Sequence, residues 1–141
     1  MNREIEENST PKIQEKEEEQ TEKQMKQEVI ERLKDLTGKY REFLQGKIKK
    51  ADIDFFDRLH DRNEEIIVKF SNKYISDTML QLLFYCNKRI FQIGKSDKYP
   101  LDEKTRVRSS ENCIDTYNKL TPEEKSLLPN DISIIWEKTV R

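Results

Sequence analysis

Glycine, proline, cysteine and histidine are scarce in this 141-residue chain, with three, four, two and one copies. Few chain-breaking residues leave little material for long irregular loops, so helices joined by short links are expected. Cys86 and Cys113 stand far apart, with no CxxC pair and no histidine-rich neighbourhood. That pattern argues against a disulfide framework or a structural zinc site and suits reduced thiols in an intracellular compartment. No apolar run approaches the roughly 18 residues of a membrane span, and no apolar N-terminal segment suggests a secretory signal. A soluble chain is therefore expected, without a membrane partner.

Charge is plentiful: 39% of the residues are Asp, Glu, Lys or Arg, against 33% hydrophobic, so the core is expected to be modest. The 27 basic and 28 acidic side chains nearly cancel. Their distribution is more informative. Residues 1–25 hold 4 basic and 8 acidic side chains, 26–50 hold 8 and 4, 51–78 hold 4 and 7, and 79–141 hold 11 and 9. A basic band thus lies between two acidic ones, and the C-terminal part is slightly basic.

Residues 1–24 carry too few apolar side chains, mainly Ile5 and Ile13, to offset the entropy of ordering, and read as a disordered acidic tail. From Met25 the apolar positions recur in steps of three and four: Val29, Leu33, Leu36, Tyr40, Phe43 with Leu44, and Ile48. This stripe predicts a long amphipathic helix, weakened at Gly38 and at its end by Gly46. Val29, Leu33, Leu36, Tyr40 and Phe43 are its candidate partner-binding residues, in a hetero-oligomer. Pairing with the following helix is the alternative, and residues 25–75 would then close into a hairpin.

Asp52 and Asp54 suit the start of a second helix, with Phe55, Phe56, Leu59, Ile66, Ile67, Phe70 and Tyr74 on its apolar face. Ser76 or Asp77 caps a third, "TMLQLLFYCNKRIFQI", apolar on most sides through Leu80, Leu83, Phe84, Ile90 and Phe91. Gly94 is placed as its C-cap. A fourth runs through Val107, Cys113, Ile114, Tyr117 and Leu120. Thr121-Pro122-Glu123-Glu124 opens a fifth, and Pro129 interrupts it before "ISIIWEKTVR". No run alternates like a strand, so the expected fold class is all-α.

Catalytic chemistry has little to stand on. His60 is flanked at helical spacing by Asp57, Asp61 and Glu64, but a second histidine is lacking. Neither cysteine has a base in sequence reach, and no phosphate-loop, dinucleotide-binding or nucleophile-elbow motif occurs. No enzymatic activity, cofactor or metal is expected.

The stretch "YNKLTPEEKSLL" (Tyr117 to Leu128) resembles the helix junction of HMG-box DNA-binding domains, an aromatic, a basic residue, Leu, Ser or Thr and then an acidic helix start. "KYP" (Lys98 to Pro100) and "LLFYCNKRI" (Leu82 to Ile90) are similar to that family's first helix and its end. The likeness covers roughly residues 78–141. It departs from the family in lacking a basic extended arm and in the break at Pro129. "ISIIWEKTVR" resembles a homeodomain recognition helix, with Thr139 where that family places Asn. In size and layout the chain is also similar to the small homeobox-like accessory subunits of the ciliate DNA adenine methyltransferase complex. These resemblances imply a helical DNA-binding module over residues 76–141 in a non-catalytic nuclear accessory subunit.

The candidate DNA-contacting residues are Lys88, Arg89, Lys95 and Lys98 at the end of the third helix, and Lys104, Arg106 and Arg108 at the start of the fourth. Flanking one loop, they would form a basic edge for weak, nonspecific contact with duplex phosphates. The competing expectation is a helical adaptor that binds only protein in a cytoskeletal or organellar assembly.

Overall fold

The computed structural model describes the backbone of residues 2–49, 52–95 and 102–138, and side-chain surroundings from residue 21 onward except at Ile53. Among the described residues there are six helices and no strand: α1 (Asn2–Leu44), α2 (Ile53–Tyr74), α3 (Thr78–Lys95), α4 (Glu103–Asn118), α5 (Pro122–Ser126) and α6 (Ile132–Glu137). The fold is all-α, as the periodicity predicts.

α1 begins earlier than expected. Its backbone is helical from Asn2, where a disordered tail was predicted over 1–24. Glu, Gln and Lys are good helix formers, and an established helix extends without a new nucleation step. The helix ends at Gly46, whose φ of 74° suits a residue without a side chain. There Gly46 N donates to the Phe43 carbonyl at 3.0 Å and Lys47 N to the Glu42 carbonyl at 2.9 Å, the paired bonds of a Schellman stop.

The apolar stripe of α1 is covered by its own chain. Met25, Val29, Leu33, Leu36 and Tyr40 are fully buried, and α1 packs on α3, α6 and α2. Phe43 is half-buried, edge-on to Phe56 with ring centroids 5.7 Å apart. This corrects the assignment of Val29, Leu33, Leu36, Tyr40 and Phe43 to a partner surface. One apolar cluster runs from Met25 to Trp136, across the division expected at residue 75. An amphipathic stripe marks a buried face but not what buries it.

α3 is the central element and packs on α1, α2 and α4. Asp77 caps it by accepting from Leu80 N at 3.1 Å. Gly94 lies inside α3 rather than at its cap. A Cβ built there would sit 2.9 Å from Phe56 Cβ, so the absent side chain lets α2 and α3 approach closely. Asp52 precedes α2 without capping it, because its carboxylate accepts from Lys49 N instead.

α4 is capped by Asp102, which accepts from Thr105 N at 2.8 Å. The α5 start is a full capping box. Thr121 Oγ1 accepts from Glu124 N, Glu124 Oε1 accepts from Thr121 N, and Pro122 occupies the first turn. Tyr117 is half-buried against the core, with Lys125 Nζ 5.3 Å above its ring. In α6, Ile132, Ile135 and Trp136 are buried.

Candidate functional site

The basic residues flagged in the sequence divide into distinct environments. Lys88 from α3 and Lys104 and Arg108 from α4 line one groove between the two helices, with a cavity of about 200 Å³. Helical spacing explains the convergence. Lys104 and Arg108 are one turn apart, and Thr105, Ser109 and Asn112 continue the same side of α4. Tyr85 and Gln92 complete the α3 wall. No carboxylate lines the groove. It offers three cations, three hydroxyls and two amides to an anionic ligand, a donor set suited to phosphate oxygens.

Arg89 is not part of this surface. It is only 4% exposed. Its Nη1 donates to the Arg106 carbonyl at 3.2 Å and its Nη2 to the Lys138 carbonyl at 2.9 Å. Nη2 also lies 3.5 Å from the Tyr40 hydroxyl, which itself donates to the Lys138 carbonyl. Burial raises the Tyr40 hydroxyl pKa above its ordinary value, with the Arg89 charge acting in the opposite direction. Arg89 thus ties α3 to α4 and to the end of α6, whose last carbonyls have no partner within the helix. Ser110 serves the same end: its Oγ lies 2.8 and 3.0 Å from the carbonyls of Trp136 and Glu137.

Lys95 is held by Asp57 of α2 at 2.9 Å, away from the groove. Arg106 is half-buried and is absent from the groove wall. Lys98 lies outside the described residues, as do Pro100, Thr139 and Arg141. Of the seven candidate contacts, Lys88, Lys104 and Arg108 are brought together.

His60 lies 3.4 Å from Asp61 and 3.3 Å from Glu64. Among the described residues no group of three His, Cys, Asp or Glu side chains is placed to hold a metal ion. Cys86 and Cys113 are buried free thiols, and burial together with the Cys113 thiol pushes Cys86 well above its ordinary pKa. A thiol so placed is a poor nucleophile.

Phe84 and Phe91 were expected among the buried residues of α3, yet they are 44% and 40% exposed. They share one helical stripe with Lys88. Helical period alone cannot reveal this, because α3 is apolar around most of its circumference.

No family model matches this chain, and no curated protein or solved structure is significantly similar to it.

Proposed function

We propose that this protein is a non-catalytic, DNA-binding accessory subunit of a nuclear DNA-modifying or chromatin complex. The adenine methyltransferase assembly suggested by its sequence resemblance is the first candidate. The observation that carries the reading is the α3/α4 groove, where Lys88, Lys104 and Arg108 converge among polar donors without a carboxylate. Three cations on two rigid helices can hold successive phosphates of a duplex and read no sequence. Contact of that size is weak by itself, which suits a subunit that adds DNA affinity to a larger complex.

The test is binding to random duplex DNA at several salt concentrations, for the parent and for Lys88→Gln with Lys104→Gln and Arg108→Gln. The triple variant should bind more weakly, with a salt slope flatter by about 0.9 for each lost phosphate contact. Equal binding at every salt concentration would remove the groove from consideration.

A second reading, a helical adaptor that binds only protein, draws on the exposed apolar side chains Val68, Ile75, Leu127 and Ile134. It requires that the parent bind no DNA, alone or with its natural partners.

A further inference from the structure

We propose that the α3/α4 groove and the aromatic ridge beside it bind unpaired nucleotides, with bases stacked on Phe84 and Phe91 and connecting phosphates held by Lys88, Lys104 and Arg108. The inference rests on the phosphate-binding reading and sharpens its ligand from duplex to single strand.

Three observations support it. First, Phe84 and Phe91 are exposed on a helix whose aliphatic side chains are all buried, so the two rings form a distinct apolar feature. Lys88 lies between them in helical steps of four and three, on the same face, and also lines the groove. Aromatic faces interleaved with cations on a solvent-facing ridge suit a strand that presents bases and phosphates by turns.

Second, both rings are held by neighbours. Phe84 meets Tyr85 edge-on, with centroids 5.4 Å apart, and Tyr85 is itself part of the groove wall. Phe91 lies 4.7 Å from the His60 ring, and Lys95 Nζ is 5.9 Å from its centroid. Platforms fixed before binding lose little freedom when a base arrives.

Third, the charge and spacing fit. α3 contains no carboxylate from Thr78 to Lys95. On the adjoining side of α2, Asp57 is paired with Lys95, and Asp61 and Glu64 contact His60. Seven residues of helix separate the two phenylalanines by about 10 Å along the axis. In a stacked duplex each strand advances only about 3.4 Å along the axis per nucleotide. The ridge therefore suits bases drawn apart from each other, a geometry open to a single strand and closed to an intact duplex.

The experiment uses the full chain and fluorescence anisotropy with labelled oligo-dT, oligo-rU and random duplex DNA of equal length. Phe84→Leu with Phe91→Leu keeps apolar bulk and removes both aromatic faces. Lys104→Gln with Arg108→Gln removes charge from the groove and leaves the ridge intact. The parent should bind an oligo-dT or oligo-rU strand more tightly than duplex, and the better of the two identifies the sugar preferred. The leucine pair should weaken single-strand binding about tenfold or more with duplex binding unchanged, whereas the glutamine pair should weaken both. Phe84→Leu alone makes the same comparison if the pair lowers the melting temperature.

Parent-like single-strand binding by the leucine variants, with both ligands lost by the glutamine pair, overturns stacking and leaves the phosphate reading standing. Duplex binding as tight as single-strand binding in the parent also overturns it. Failure of the parent to bind any of the three overturns both readings.

Discussion

The rings of Tyr40 in α1 and Trp136 in α6 lie face to face, with centroids 4.5 Å apart and planes 2° from parallel. Trp136 Nε1 donates to the buried Thr37 hydroxyl at 3.0 Å, so one side chain packs and hydrogen-bonds against the same helix. Trp136→Phe keeps an aromatic ring but leaves Thr37 without its donor, and should destabilise the fold by about 1–3 kcal/mol. Trp136→Ala should cost about 3–5 kcal/mol. Urea unfolding followed by circular dichroism checks both. A loss below about 0.5 kcal/mol for the alanine variant would contradict the packing described.

Arg89 should behave unlike the groove cations. Arg89→Gln withdraws charged donors from the Arg106 and Lys138 carbonyls, at a cost of about 1.5–3 kcal/mol in stability. DNA affinity per folded molecule should hardly change. Lys104→Gln should show the reverse, with an unaltered melt and weaker binding. Thermal denaturation and anisotropy on the same two preparations separate a clamp from a ligand contact.

The glycines make a matched pair. Gly38 has no atom within 4 Å of a built Cβ, so Gly38→Ala should stabilise α1 by up to about 1 kcal/mol. Gly94→Ala drives its methyl into Phe56 and should destabilise by about 1–3 kcal/mol, despite the better helix propensity of alanine. Opposite shifts in melting temperature are the expected result. A stabilising Gly94→Ala would mean that α2 can retreat from α3 at little cost.

Asp131 links stability to pH. Arg41 donates to its two oxygens at 3.0 and 2.6 Å, and these bonds hold the carboxyl below the ordinary carboxylate range. The folded chain therefore binds that proton less readily than the unfolded chain does. The contribution is complete above the unfolded value of about 3.9 and is lost as pH falls through the lower folded value. Exposure to solvent keeps it modest. Asp131→Asn should lower stability at pH 6, and the gap to the parent should narrow as the medium is acidified below pH ~4. Chemical denaturation at several pH values checks this, and a gap constant with pH would sink the assignment.

Much of the fold was legible because helices announce their ends and faces locally. Asp77, Thr121 and Pro122 sit where capping chemistry places them, and Phe56, Leu59, Ile67 and Phe70 form the buried face that their spacing indicates. What buries a face depends on residues distant in the chain. The α1 stripe therefore reads equally well as a docking surface or as the core. Arg89 shows the same limit, since it sits among basic residues in the sequence and only the arrival of α4 and α6 encloses it. Gly94 occupies a C-cap position by local rules, while the ring of Phe56 supplies its actual constraint. Lys88, Lys104 and Arg108 were legible as basic, but their meeting in one groove required the crossing of α3 over α4.

The seating of Trp136 against Thr37 and Tyr40 also constrains the order of events at the ribosome. α1 is synthesised before α6, and the side chain that covers this part of it arrives nearly a hundred residues later. Until α6 has cleared the exit tunnel, that part of the stripe stays wet. During this interval the nascent chain exposes that apolar face to solvent. Long-range closure of this kind also slows folding relative to a bundle held by neighbouring helices alone.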